Sequence, residues 1–215
     1  MKKTIGRMFF RGLLLGLLIL AAAAPVSAAT EKAKALKAYR EFMSQKKITL
    51  SVMLGEDNAS AKFNAANMIF AVIYLDRNSL PELVVDNSAN ISGNFYSPFG
   101  TAIFAWENGE VKQIFIVDTN YKIRKYYRKK GVMTFVNQAR SSLMVTGRIR
   151  NEEETVIAVK DGKKLYGPDY FAGKAKKISK AQYHRLIKKA AGSAKLRKIT
   201  YYANTEANRK KYLKK

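Results

Sequence analysis

Few residues in this 215-residue chain could do chemistry, and their types narrow the choice at once. Cysteine is absent, which removes disulfides, thiolate metal sites and cysteine nucleophiles together. The single histidine, His184, excludes histidine-rich zinc sites and any mechanism that needs two imidazoles. It stands beside Arg185 and near Lys188, with no sequence-local carboxylate to orient it, and reads as a surface residue. Glu152, Glu153 and Glu154 are consecutive. Neighbours on a strand point to opposite faces, so the three cannot converge on one bond and read as a solvated hairpin tip. Glu107 and Glu110 flank Asn108-Gly109 and read the same way. Glycoside hydrolysis needs two carboxyl groups about 5–10 Å apart across a cleft, and no spacing here fixes such a pair. No nucleophile elbow, phosphate loop or dinucleotide fingerprint is present. The chain therefore reads as non-enzymatic and without a cofactor; an enzyme of unrecognised type is the remaining alternative.

What the chain has in quantity is positive charge: 40 Lys and Arg against 16 Asp and Glu, a net +24. The charge is uneven. Residues 30–170 hold 21 basic and 15 acidic side chains, whereas residues 171–215 hold 15 basic and one acidic, Glu206. A second cluster runs through Lys122, Arg124, Lys125, Arg128, Lys129 and Lys130. With Lys188, Lys189, Arg209, Lys210 and Lys211, these are the candidate contacts to a polyanion. Each cation near an anionic surface contributes on the order of 1 kcal/mol, and salt screens it. The plain alternative is that the charge serves only solubility.

The elements that must position these residues can be read from periodicity. At 47% hydrophobic the chain is globular, and its length suits one domain or two small ones. Glu31 to Gln45 has Leu36, Tyr39, Phe42 and Met43 on one helical face. Lys47 to Leu54 alternates as a strand, with Ile48, Leu50, Val52 and Leu54 inward. Met68 to Leu75 is an apolar run expected to be a strand covered on both faces. Strands follow over Glu82 to Val85, Thr101 to Glu107, Val111 to Val117, Tyr121 to Tyr127, Val132 to Val136, Leu143 to Ile149, Thr155 to Lys160 and Lys163 to Tyr166. Asn108-Gly109 between two of them is a hairpin signal, because a type I′ turn needs positive φ at both central residues. Ser179-Lys180-Ala181-Gln182 is a capping box opening a helix that Gly192 ends. Lys198 to Tyr202 reads as a last strand, and Asn204 or Thr205 caps a short basic helix. The expected class is α+β, mainly antiparallel β. It is a hairpin meander curled into a propeller-like or barrel-like sheet, with an N-terminal helix and, over 171–215, a basic helix-strand-helix appendix.

Residues 1–29 read as a signal peptide. Lys2, Lys3, Arg7 and Arg11 precede an uncharged apolar run from Gly12 to Ala24, Pro25 breaks it, and cleavage fits after Ala28 or Ala29. The run is shorter than the ~20 residues of a membrane span, so no span is expected after cleavage; an uncleaved anchor is the alternative. A cysteine-free exported chain fits bacteria that secrete without oxidative folding. The expected location is extracellular, possible wall association included.

Phe70-Ala71-Val72-Ile73-Tyr74-Leu75-Asp76-Arg77-Asn78-Ser79-Leu80-Pro81-Glu82-Leu83-Val84-Val85 resembles a motif of largely uncharacterised secreted proteins of Gram-positive anaerobes: a strand, an Asp/Asn-rich loop, Pro-Glu-Leu and a second strand. The Trp106-Glu107-Asn108-Gly109-Glu110-Val111-Lys112 hairpin is similar to theirs. So are Lys177 to Tyr183 and the Asn204-Thr205-Glu206-Ala207-Asn208-Arg209-Lys210-Lys211-Tyr212-Leu213 element. The resemblance implies architecture and secretion rather than a reaction. In longer versions of the loop it also implies a calcium-type site. Of such a site this chain keeps Asp76, Asn78 and Glu82, short of the six to eight oxygens calcium takes, with Arg77 beside them. The competing reading is a loop in which Asp76 and Asn78 bond nearby backbone amides and Pro81 sets the entry to the next strand.

The expected function is that of a secreted binding or structural protein held to the cell envelope by an anionic wall polymer or acidic polysaccharide. Two alternatives stand beside it. One is a carbohydrate-binding β-module using Trp106 and surface tyrosines. The other is an extracellular nucleic-acid binder, in which Tyr126, Tyr127, Tyr201 and Tyr202 would stack on bases.

Overall fold

The computed structural model describes residues 28–54, 57–87, 100–117, 121–137, 140–150, 153–174 and 176–214. Residues 1–27 of the segment expected to be a signal peptide, Asn151 and Glu152 of the expected hairpin tip, the side chains of Leu54 and Glu153, and Lys215 lie outside the described residues.

Among the described residues the fold is mainly antiparallel β, with 46% in strands and three helices. Helix α1 spans residues 28–44. A hairpin of β1 (Lys47–Leu54) and β2 (Asp57–Asn64) follows. Five strands then form one sheet: β3 (Ile69–Ile73), β4 (Glu82–Asp86), β5 (Thr101–Glu107), β6 (Glu110–Val117) and, from the far end of the chain, β13 (Tyr202–Ala203). Its order is β13-β3-β4-β5-β6. A six-stranded sheet comprises β7 (Tyr121–Tyr127), β8 (Val132–Asn137), β9 (Leu143–Arg150), β10 (Glu153–Asp161), β11 (Lys164–Tyr166) and β12 (Leu196–Lys198). Its order is β11-β10-β9-β8-β7-β12. Helices α2 (Lys180–Ala191) and α3 (Glu206–Tyr212) complete the chain.

Strand alternation explains the layering. Phe70, Leu83, Val85, Ala102 and Phe104 face one way and pack on Tyr39 and Met43 of α1 and on Ile48, Leu50 and Val52 of β1. Ala71, Ile73, Val84 and Ile103 face the other way and meet Ile123, Met133, Phe135, Val145 and Val159 of the six-stranded sheet. The outer face of that sheet, with Val132, Thr134, Thr146 and Ala158 buried, lies under α2. The result is four layers: α1 with its hairpin, the five-stranded sheet, the six-stranded sheet, and α2. Each apolar face has a partner, as burial of sheet faces requires.

Several expectations shift. Strand β3 is covered on both faces, by Phe70 on one and by Ala71 and Ile73 on the other, but it is shorter than the apolar run and its Ile69 and Val72 are half-exposed, whereas all five residues of β4 are buried. Strand β2 was not read from the sequence, because Asp57-Asn58-Ala59-Ser60-Ala61 carries no apolar alternation. Both sheets run from edge to edge, so neither a propeller nor a barrel is closed among the described residues. The last strand is two short ones. Leu196–Lys198 pairs with β7, and Tyr202–Ala203 pairs with β3. The segment expected as an appendix thus adds one edge strand to each sheet, and its Leu213 is buried in the first core. The Asn108-Gly109 turn has φ of 53° and 87°, as a type I′ turn requires. The capping box of α2 is formed, and Thr205 caps α3.

Candidate functional site

The loop after β3 and the turn after β7 meet because the backbone ties them together. Lys129 N donates to Tyr74 O at 2.9 Å, and Gly131 N donates to Leu75 O at 2.7 Å. Ile149 N donates in turn to Gly131 O at 2.8 Å. Gly131 has φ of 64°, and a Cβ there would lie 2.8 Å from Ile149 O, so only glycine allows this approach.

These ties leave a groove of about 590 Å³ lined by Asp76, Arg77, Lys130, Arg148, Lys189 and Gly192, among others. Lys130 comes from the β7–β8 turn and Lys189 from the last turn of α2. The two basic segments, far apart in sequence, therefore converge on one cavity. Arg77 and Arg148 join them. In the sequence Arg77 reads only as a charge beside a calcium-type loop, and Arg148 sits on an ordinary strand with Arg150 and carries no signal of its own. Arg148 Nη2 donates to Ala190 O at 2.6 Å, while its Nε is buried without a hydrogen-bond partner. Four cations face one carboxylate, Asp76, and the C-terminal end of α2, which carries about half a negative charge. The balance favours an anion.

Beside the groove, the Arg128 guanidinium lies 4.9 Å from the Tyr74 ring centroid, and Lys32 Nζ lies 5.7 Å from it. Lys188 is exposed one residue before Lys189. Arg124 and Lys125 are exposed on β7, where Lys125 stands directly opposite Lys198 of β12. Two like charges in register oppose the pairing and mark this edge as positively charged.

Other expected contacts are engaged internally. Lys122 is largely covered, lies 3.2 Å from the fully buried Asp86 carboxylate and sits over the Tyr201 ring at 4.9 Å. Burial and the ion pair withdraw Lys122 from a polymer. Arg209 donates to Asn204 O and to Asn204 Oδ1 at 2.9 Å in the second case. Lys210 pairs with Glu206, and Lys211 covers the Tyr212 ring.

The Asp76–Glu82 loop is satisfied from within. Asp76 accepts from Asn78 N at 2.9 Å and from Asn78 Nδ2 at 2.6 Å, and Asn78 Oδ1 accepts from Leu80 N at 2.9 Å. Glu82, 2% exposed, accepts from Leu75 N at 2.7 Å and Asp76 N at 3.3 Å. Burial pushes its carboxyl up to about 8, and burial also raises Asp76. The oxygens expected for calcium are thus used by the protein's own amides. Among the described residues no three Asp, Glu or His side chains are grouped to hold a metal ion.

No family model, curated protein or solved structure matches the chain.

The remaining candidates fall into place as structure. Trp106 is half-buried against the first core, and its Nε1 donates to Glu31 Oε2 at 3.2 Å. Tyr126 is buried, Tyr201 donates its hydroxyl to Ile123 O, and Tyr202 is stacked on Tyr212. His184 is exposed, edge-on to Tyr183. Glu107 and Glu110 are exposed at the β5–β6 turn. No helix among the described residues is long and apolar enough to cross a membrane.

Proposed function

We propose that this is a secreted, non-enzymatic binding protein that holds an anionic polymer of the cell envelope, a wall polymer or an acidic polysaccharide, in the cation-lined groove. One observation carries the reading: Lys130 and Lys189 meet Arg77 and Arg148 around a single cavity. A charge excess kept only for solubility has no need to converge. The exposed Arg124, Lys125, Arg128 and Lys188 extend the positive surface beyond the cavity, so a chain-like anion gains more contacts than a small one. The use of Trp106 and of Tyr126, Tyr201 and Tyr202 in packing favours this reading over sugar stacking or base stacking.

The test is retention of residues 30–215 on purified wall material, with and without its anionic polymer, across a salt titration. Binding requires the polymer and disappears near 0.5 M salt, where the Debye length is about 4 Å. A triple variant Arg77→Gln/Lys130→Gln/Lys189→Gln loses most of that binding, whereas Lys47→Gln/Lys62→Gln/Lys160→Gln, an equal loss of charge outside the groove, keeps it. Equal retention of the two triple variants would sink the groove as the site.

A further inference from the structure

The two sheets part at their β6 and β10 margins, and the opening is a cavity of about 380 Å³. That volume is at the lower end of the range for small-molecule sites, roughly 300–1,000 Å³. Its walls are Phe115 from β6, Tyr121 and Phe135 from β7 and β8, Val156 from β10, and Phe171 just after the short 3₁₀ turn Pro168–Tyr170. Phe115 and Phe135 stand 6.1 Å apart, tilted by 51°. Phe171, 55% exposed, is one of two large apolar side chains left open to solvent among the described residues.

One carboxyl group enters this aromatic lining. Glu154 lies on the same strand face as Val156 and runs back over Gly147: a Cβ on Gly147 would sit 2.5 Å from Glu154 Oε1 and 3.1 Å from the Phe135 ring. A glycine inside a strand weakens it, and often marks close approach of another group. Here it makes the space that the carboxyl occupies. Glu154 keeps an exposed flank, yet its apolar neighbours hold the carboxyl above the usual range. Among the described residues no Lys or Arg pairs with Glu154, and no hydrogen bond reaches it. Four aromatic rings around one unpaired carboxylate match what an organic cation needs: ring faces for the cation–π attraction and a counter-charge. Among the described residues no cation lines the cavity, and at physiological salt the Debye length of about 8 Å screens more distant ones.

We propose that this cavity is a binding site for a small organic cation of the quaternary-ammonium class, its head group among Phe115, Tyr121, Phe135 and Phe171 and its charge against Glu154. The site is separate from the groove and does not depend on the polymer reading.

The experiment is isothermal titration of residues 30–215 with choline and with 3,3-dimethylbutan-1-ol, its uncharged carbon isostere. Choline binds at least about tenfold more tightly than the isostere, since the shapes agree and only the charge differs. Glu154→Gln removes that preference, and Phe171→Ala, an exposed position whose truncation leaves the core intact, weakens choline severalfold. Arg77→Gln/Lys130→Gln/Lys189→Gln leaves choline affinity unchanged. Equal affinity for choline and the isostere, an unchanged preference in Glu154→Gln, or no heat up to about 50 mM choline would each overturn the proposal.

Discussion

The side-chain amide of Asn204 donates to the backbone carbonyl of Met43 at 2.9 Å, across 161 residues of chain. The same amide donates to Ala65 O at 2.7 Å, and its oxygen accepts from Arg209. One buried residue near the C-terminus thus satisfies the last turn of α1 and the turn leading into β3. It lies between β13, which edges the five-stranded sheet, and α3, whose following Leu213 is buried against α1 and β1. The basic C-terminal segment is part of what holds the N-terminal layer in place.

Asn204→Ala should therefore destabilise the fold by about 2–3 kcal/mol, because two carbonyls lose their donors in a buried setting. Urea unfolding of the variant checks it, read as a fall in midpoint at unchanged slope. The same reasoning bears on the polymer test. Deleting 171–215 would remove β12, β13 and Leu213 along with the charge, so charge-neutralising point variants are the informative ones.

Apart from β2, whose Asp57 to Ala61 stretch has no apolar alternation, and the division of the last strand, the order of elements was legible because alternation and turn residues agreed. Asn108-Gly109, the Ser179 capping box and the apolar runs each point to one local structure. Three features were not legible, for physical reasons. Pairing of Leu196–Lys198 with β7 and of Tyr202–Ala203 with β3 is long-range, and strands of three and two residues carry no period. Arg77 and Arg148 join the groove only because the Gly131 turn brings the β3 end and β9 together. Lys122 looked like one more surface cation within a basic run; nothing local reveals that its partner is Asp86 on another sheet.

That pair separates stability from binding. Lys122→Ala leaves the buried Asp86 carboxylate without its 3.2 Å counter-ion, and removing one partner of a buried pair costs about 3–5 kcal/mol. Lys125→Ala, on the exposed side of the same strand, should cost less than about 0.5 kcal/mol, and relief of its repulsion with Lys198 works against even that. Paired unfolding curves check the contrast, and comparable losses in the two variants would remove the structural role given to Lys122.

Two glycines with positive φ should respond differently to alanine. Gly109 has open space around its missing Cβ, so Gly109→Ala carries only the left-handed backbone penalty of about 1–2 kcal/mol. Gly131 has that penalty together with a 2.8 Å contact to the backbone oxygen of Ile149, which no side-chain rotation relieves. Gly131→Ala should cost about 3 kcal/mol or more and should also loosen the groove, because Gly131 fixes Lys130 beside Arg148. Thermal melts give the first effect and polymer retention the second.

Glu82 makes stability depend on pH in a defined direction. In the folded chain burial raises its carboxyl to about 8, from 4.5 in an exposed setting. Between those two values the folded state holds a proton that the unfolded state has released. Stability from this group is therefore complete below about 4.5, declines as pH rises, and is lost above about 8. Asp76, raised by burial and adjoining Glu82, adds to the same trend. The groups facing Glu82 are the amides of Leu75 and Asp76, the Asp76 carboxyl, and Tyr39, whose hydroxyl donates to Pro81 O. None supplies a cation to hold the carboxylate. Glu82→Gln keeps a carbonyl for the Leu75 amide and turns an N–H toward the Asp76 carboxyl, giving up only the longer bond from Asp76 N, and it is neutral at every pH like the protonated acid. The variant should be close to wild type in stability at pH 5 and more stable than wild type at pH 8.5, the gap widening steadily between. Denaturant unfolding of both proteins across this range isolates the effect, since every other titrating group is common to the two. A constant difference from pH 5 to 8.5 would mean that Glu82 is already ionised in the folded protein, held by the two amides alone.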